Sequence, residues 1–145
     1  MKKDLTEFID ENKIATICYL DVQGKPYCFN CFYAFEPTQK LLFFKSSANT
    51  LHAQSLKINA EISGTILPSK SNILALKGLQ FTGVVLYDDF PLTVSPASYY
   101  HQRNPMTLAK AGEVWCIQLT KAKMTDSTRV FGEKLVWEKL SEEIL

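Results

Sequence analysis

The 145-residue chain lacks an excess of either charge, with 16 lysines and arginines against 15 aspartates and glutamates. A nearly balanced chain offers no basic field for a nucleic acid, so we expect no nucleic-acid partner. No apolar run approaches the roughly 20 residues that a membrane-spanning helix needs, so we expect no membrane partner either. The amino-terminal segment 1–13 mixes charged and apolar residues and lacks the continuous apolar core of a secretion signal. We therefore expect a cytoplasmic protein.

Spacings typical of catalytic or metal sites are also scarce. The chain has two histidines and four cysteines, and no Ser-His-Asp, Cys-His or zinc-site spacing stands out. The carboxylate pairs at 88–89 and 142–143 are sequence neighbours, so their side chains diverge and make poor acid–base pairs.

Cys28 and Cys31 form a CxxC motif, which normally suggests zinc or redox chemistry. Their surroundings predict a strand, in which residues three apart face opposite sides and lie about 10 Å apart. A disulfide needs Cα atoms within about 7 Å of each other. We therefore expect structural, buried thiols here, with neither zinc nor a mutual disulfide.

What the sequence does contain is a series of apolar, β-rich segments, as expected for one mainly β domain over 1–145. The predicted strands are 14–20, 27–35, 41–44, 61–67, 73–86 and 114–125, with 131–137 as a candidate last strand. A short amphipathic helix is predicted at 5–12, and a second short helix is predicted after the polar turn at 45–50. Ser95-Pro96 predicts the start of a helix that ends near Arg103, before Asn104-Pro105.

Two of these strands are apolar on both faces. Asn30 is the only polar member of 27–35, and 41–44 has none. A half-exposed antiparallel strand alternates apolar and polar residues instead. The outer faces therefore need cover, which helices, a second subunit or a flat ligand could supply. We favour a symmetric dimer with a ligand near the seam.

The segment 41–66 contains the clearest indication of a ligand. A short strand leads into a turn and a short helix, and the turn offers these polar side chains: Lys45, Ser46, Ser47, Asn49 and Thr50. A helix start has unpaired backbone N–H groups and a partial positive charge, so this turn predicts a phosphate site. The alternative is that Asn49 or Thr50 only caps the helix. His52 is likewise either a phosphate ligand or an ordinary surface residue.

Three segments together resemble the pyridoxamine-5′-phosphate-oxidase-like FMN-binding split barrels, in particular a small, largely uncharacterised bacterial branch of them. They are NTLHAQ at 49–54, GLQFTG at 78–83, and the pattern VWCIQL, KMTDST and FG-K-VW across 114–137. The helix YYHQRNP at 99–105 also fits that branch. The resemblance spans nearly the whole chain and depends on the order and spacing of the motifs.

The resemblance implies a six-stranded antiparallel split β-barrel of Greek-key type with peripheral helices. It also implies a homodimer that holds two FMN molecules at the subunit interface. Residues implied in cofactor binding fall in three groups. The residues implied at the FMN phosphate are Lys45, Ser46, Ser47, Thr50 and His52. The strand that lines the flavin ring contributes Asn30, Cys31 and Phe32, and a strand after the phosphate helix contributes Gln80.

Two departures from that family bear on function. The family often has Lys or Arg where His52 stands, and a neutral imidazole brings no charge to a phosphate. The true oxidases have an arginine near the carboxyl terminus for the substrate phosphate, whereas 134–145 has none. The leading hypothesis is a dimeric FMN-dependent oxidoreductase, flavin reductase-like or related to pyridoxamine-phosphate oxidase, with unknown substrate and no assigned catalytic residue. The alternatives are a non-catalytic flavin- or haem-binding protein, or an apo dimer with a decayed site.

Overall fold

The computed structural model describes residues 1–70, 73–87, 90–127 and 134–140. These residues form three helices, seven strands and two short 3₁₀ turns. In chain order they are α1 (Lys3–Glu11), β1 (Ile14–Leu20), β2 (Pro26–Glu36), β3 (Leu41–Ser46), α2 (Leu51–Ile58), β4 (Glu61–Ile66), a 3₁₀ turn (Ile73–Ala75), β5 (Lys77–Leu86), α3 (Pro96–Arg103), a second 3₁₀ turn (Pro105–Ala109), β6 (Glu113–Asp126) and β7 (Lys134–Glu138). Within the described part of the chain, no helix has the length and apolar character needed to cross a membrane.

Six of the strands close into an antiparallel barrel. The sheet runs in the order β3-β2-β1-β4-β5-β6, and β6 returns to pair with β3. Because β4 lies beside β1, strands β1 to β4 form a Greek key. β7 pairs with the second half of β6 and stands outside the closed ring. The predicted six-stranded split barrel with peripheral helices is confirmed, and β7 covers the described part of the candidate strand at 131–137.

The barrel interior is filled by alternate side chains of the strands, including Ile17, Phe44 and Phe81. Helix α1 adds its apolar side to the same core through Leu5, Phe8 and Ile9. The Tyr33 hydroxyl donates a 2.6 Å hydrogen bond to the carbonyl of Ile9, which ties this helix to β2.

Helix α3 covers one end of the outer sheet surface. Its Tyr100 is buried in a second cluster with residues of three strands: Ala34, Leu41, Phe43 and Cys116. A helix therefore supplies the outer cover for β3 and the end of β2. The cover stops there, because the outer side chains of Ile14 and Phe32 remain 52% and 44% exposed.

The barrel bends at a bulge between β5 and β6. Thr82 pairs with Lys121 and Gly83 pairs with Leu119, so Thr120 is the extra residue. A Cβ atom at Gly83 would lie 2.6 Å from the Ile117 side chain and 2.7 Å from the Gln118 carbonyl oxygen. Only glycine fits this close approach, so Gly83 marks a corner of the barrel.

Candidate functional site

The turn after β3 places three polar side chains in one hydrogen-bonded group, which we call the turn cluster: Ser46, Thr50 and His52. The Ser46 hydroxyl lies 2.5 Å from Nε2 of His52 and 3.5 Å from the Thr50 hydroxyl. Thr50 is the N-cap of α2, since its side chain accepts a hydrogen bond from the Ala53 amide at 3.2 Å. The same hydroxyl donates to the Ser47 carbonyl at 3.0 Å. Thr50 therefore does cap the helix, while its hydroxyl also borders Ser46.

His52 is held by aromatic rings as well as by Ser46. Its imidazole stacks on Phe29 with ring centroids 3.9 Å apart and an interplanar angle of 15°. Tyr19 approaches the same imidazole edge-on at 6.1 Å. This desolvation lowers the pKa of His52 below the ordinary 6.5, so the imidazole is neutral at pH 7. His52 thus contributes hydrogen bonding and no positive charge to the turn.

The start of α2 leaves backbone donors open beside these side chains. Among the hydrogen bonds of the described residues, the amides of Leu51 and His52 have no acceptor, as expected for the first two positions of a helix. The Ser47 hydroxyl accepts from the Asn49 amide at 3.3 Å, which shapes the turn. The two open amides, and the Ser46 hydroxyl when Nε2–H of His52 donates to it, form a donor set suited to an anion such as a phosphate group.

Two residues behind the turn were missed by the sequence reasoning. The Trp115 indole donates to the Ser46 carbonyl at 3.3 Å. Gly112 has φ +138°, and a Cβ there would lie 3.1 Å from the Ser46 carbonyl carbon. A glycine followed by an apolar strand was visible in the sequence, but its contact with Ser46 depends on the pairing of β3 with β6.

Lys45 is adjacent to Ser46 in the chain, but its side chain leaves β3 on the other face, as strand geometry requires. Its ammonium group donates to the Thr107 carbonyl at 3.0 Å and lies 3.0 Å from Nε2 of His101. It lines a cleft of about 280 Å³. This Lys45 cleft is also bordered by Asn30, Cys31 and Phe32 on β2, and by Tyr100, Thr107, Lys110 and Ala111 of α3 and the segment after it.

The three predicted residues of β2 differ in their surroundings. Asn30 accepts a 2.7 Å hydrogen bond from the Thr16 hydroxyl through its side-chain oxygen. Phe32 presents an exposed aromatic face. Burial raises the pKa of the Cys31 thiol to about 12, so this thiol stays protonated.

The Lys45 cleft continues into a larger groove of about 790 Å³, which we call the outer groove. Ile14, Asn30 and Phe32 line both, and Leu67 adds an exposed apolar side chain to the outer groove. The uncovered part of the barrel surface therefore adjoins the predicted ring-lining strand.

Gln80 is not brought together with the other predicted residues. It lies on the exposed face of β5, in a groove of about 390 Å³ that also contains Cys18, Thr82, Lys121 and Lys123. The structure thus separates the nine predicted residues into the turn cluster with Ser47, the Lys45 cleft, and Gln80 alone.

Several sequence-based interpretations concern other side chains. The residues at 88–89 and 142–143 lie outside the described part of the chain. Within the described residues, no three His, Cys, Asp or Glu side chains group as a metal site. Cys31 packs against the core and Cys28 is exposed, so the two face opposite sides of β2 as predicted. The expectation of buried thiols is wrong for Cys28, because its side chain lies on the outer face of the strand.

The chain is similar to curated bacterial proteins over most of its length, although no protein-family model matches it. A UPF0306 protein of Photorhabdus laumondii is 31% identical over 113 residues, which are 78% of this chain and 79% of the relative. A UPF0306 protein of Yersinia enterocolitica is 29% identical over 141 residues, which are 96% and 94% of the two chains.

Solved structures share the architecture at low sequence identity. A haem-binding protein from Mycobacterium smegmatis superposes with a TM-score of 0.74 and 13% identity, over 90% of this chain and 55% of that one. A FAD-binding protein from Mesorhizobium loti superposes with a TM-score of 0.67 and 13% identity, over 86% of this chain and 94% of that one. An F420 reductase superposes with a TM-score of 0.62 and 12% identity, over 84% of this chain and 98% of that one. These likenesses show the fold, and the resemblance to flavin-binding split barrels read from the sequence is confirmed.

Proposed function

Because the chain belongs to the UPF0306 family and has the split-barrel fold of flavin- and haem-binding proteins, we propose that it is a cytoplasmic, homodimeric flavoprotein that binds FMN and acts as an oxidoreductase. The observation that carries the proposal is the donor set at the start of α2. The substrate is a small molecule that the chain does not identify, and no catalytic residue is assigned.

The turn cluster fits the phosphate of FMN. A phosphate monoester carries nearly two negative charges and accepts several hydrogen bonds. Ser46 and the open amides of Leu51 and His52 supply donors, and the positive end of the α2 dipole adds to their effect. Since no cation of the described residues joins the turn cluster, the phosphate affinity rests on neutral donors.

The Lys45 cleft fits the flavin ring. It offers an amide at Asn30 and an aromatic face at Phe32, which suit hydrogen bonding and stacking with a flat heterocycle. Ala111 lines this cleft and the next residue, Gly112, packs on Ser46, so cleft and turn share a boundary. When bound, the flavin supplies the electron chemistry, while these residues hold and orient it.

A second copy of the chain is the proposed cover of the outer groove. Ile14, Phe32 and Leu67 form an uncovered apolar strip beside the ring cleft, and a dimer there encloses the ring between subunits. An obligate interface buries about 2,000 Å² or more in total. Light scattering at micromolar concentration should give twice the chain mass. Leu67→Glu should give a monomer that still folds, whereas Ile58→Glu, at an exposed site away from the groove, should remain a dimer.

An absorbance spectrum of the freshly purified protein tests the cofactor. Flavin bands, and quenching of FMN fluorescence on titration, are the expected results. Bleaching of the flavin bands by NADH or NADPH then distinguishes an oxidoreductase from a storage protein. A spectrum with protein absorbance alone, together with no response to added FMN, contradicts the proposal.

Haem has less support in this chain. Both histidines already use Nε2, His52 with Ser46 and His101 with Lys45. A haem axial ligand is most often a histidine nitrogen, so either residue would have to release its present partner. A haem band in the spectrum would nevertheless replace FMN as the cofactor.

A further inference from the structure

Two cysteines face each other across the first hairpin. Cys18 on β1 pairs directly with Cys28 on β2, and their sulfur atoms lie 2.9 Å apart. Both are free thiols in this structure. The pair shares Cys28 with the CxxC motif, whose second cysteine, Cys31, packs against the core on the other side of β2.

The position of the pair within the ladder favours a bond between them. The Asp21 amide donates to the Lys25 carbonyl and the Tyr33 amide to the Lys13 carbonyl, so the hydrogen-bonded pairs fall on odd residues of β1. Cys18 and Cys28 therefore form a non-hydrogen-bonded pair, whose Cα atoms lie about 4.5 Å apart. That separation is at the short end of the range that a disulfide spans, about 4.4–6.8 Å.

The four cysteines differ in their access to a reagent. Cys28 is exposed and Cys18 is half-buried. Burial raises the pKa of Cys31 and of Cys116 to about 12, so both stay protonated and shielded. Burial and the neighbouring Cys28 together raise the pKa of Cys18 to about 11. Cys28 is thus the thiol that an external reagent meets first.

We propose that Cys18 and Cys28 are a reversible dithiol–disulfide site that reacts with low-molecular-weight disulfides of the glutathione class. The Cys28 thiolate attacks one sulfur of glutathione disulfide, and one glutathione thiolate leaves. Cys18 then loses its proton and attacks the Cys28 sulfur, which releases the second glutathione. The two cysteines are oxidised by two electrons, the disulfide is reduced to two glutathiones, and the two thiol protons end on those products.

The bond should be easy to reverse. It closes a short loop within one hairpin, so it removes little freedom from the unfolded chain. The bond also lies on an accessible strand face, and its Cα separation is at the short end of the range for a disulfide. Exposed or strained disulfides are the ones that are reduced most easily. The site is independent of any cofactor, so its test stands apart from the flavin experiments.

The test is thiol counting on the native full-length protein in a glutathione disulfide buffer, with acid quenching, alkylation and intact mass. The wild type should lose two of its four thiols without retaining glutathione, and dithiothreitol should restore them. Cys18→Ser should retain one glutathione on Cys28. Cys28→Ser should keep its remaining thiols, and Cys31→Ala should still lose two.

Three results would overturn the assignment. One is a native wild type that keeps four thiols in a buffer that oxidises the chain in denaturant. Another is a Cys31→Ala variant that no longer loses two thiols, which would place the bond at the CxxC motif. The third is a disulfide that links two chains on a non-reducing gel and is absent within each chain.

Discussion

Strand β3 ends between two groups of polar side chains, one neutral and one cationic. The turn cluster combines neutral side chains with a helix start, whereas the Lys45 cleft contains cations at Lys45 and Lys110 and no helix start. Lys45 and Ser46 are adjacent, but the alternation of the strand sends them to different faces. The lysine therefore does not accompany the hydroxyls, and helix donors must recognise an anion at the turn without it.

Removing both hydroxyls of the turn cluster should have the largest effect. Ser46→Ala removes a hydrogen bond to a charged group, which contributes about 1.5–3 kcal/mol, and Thr50→Ala removes the cap that fixes the open amides of α2, which contributes about 1 kcal/mol. The double variant should therefore weaken FMN binding on the order of 100-fold or more. Riboflavin, which has no phosphate, should bind both proteins alike. Fluorescence quenching with each flavin gives the two dissociation constants.

Thr50 also caps α2, and losing a cap costs about 1 kcal/mol of stability. Thr50→Asp is the matched control, because aspartate retains the cap and repels phosphate. It should fold as the wild type does and still lose FMN. An Asp variant that binds FMN normally would show that the phosphate lies elsewhere.

Adding a cation to the turn should strengthen binding. His52→Lys places an ammonium group where the neutral imidazole now lies, and one charge-assisted hydrogen bond corresponds to about a tenfold gain for FMN. Gln54→Lys adds the same charge on an exposed position of α2 and should change the affinity by less than about twofold. Equal gains in both variants would mean that only net charge matters.

Removing the cation of the cleft should leave phosphate recognition unchanged. Lys45→Met breaks the bonds to Thr107 and His101 and should lower the unfolding free energy by about 1 kcal/mol. The ratio of FMN to riboflavin affinity should stay within about twofold of wild type, as in the exposed control Lys57→Met. If this affinity ratio falls strongly in Lys45→Met and not in Lys57→Met, the phosphate binds in the Lys45 cleft.

The smallest effect concerns pH. The pKa of His52 is lower in the folded chain than its ordinary 6.5 in the unfolded chain, so below that pH the unfolded state binds more protons. Its contribution to stability is present above 6.5 and is lost as the pH falls towards the folded value. The free energy of unfolding, measured with urea, should fall less between about pH 7.5 and about pH 5.5 for His52→Gln than for the wild type. Identical losses would show that His52 is solvated in the folded chain.

The barrel and the turn were readable from sequence because their signals are local. Apolar, β-rich segments between turn signals predicted the strands, and Ser95-Pro96 predicted the start of α3. Hydroxyls at a helix start predicted the turn cluster, and Thr50 shows that the cap and the candidate ligand site share one side chain.

Features that depend on pairing between distant segments were not readable in the same way. The isolation of Gln80 follows from the barrel closure, and Gly112 reaches Ser46 only because β6 pairs with β3. Two missed features did have local signals. Strand alternation separates Lys45 from Ser46, and a turn at 21–25 sets the register that brings Cys18 opposite Cys28.

A crystal structure of the protein with FMN tests the central claim most directly. We expect the phosphate within hydrogen-bond distance of the Ser46 hydroxyl and of the Leu51 and His52 amides, with the ring against Asn30 and Phe32. A phosphate bound by Lys45 or Lys110, with the turn cluster unchanged and free of ligand, would contradict it.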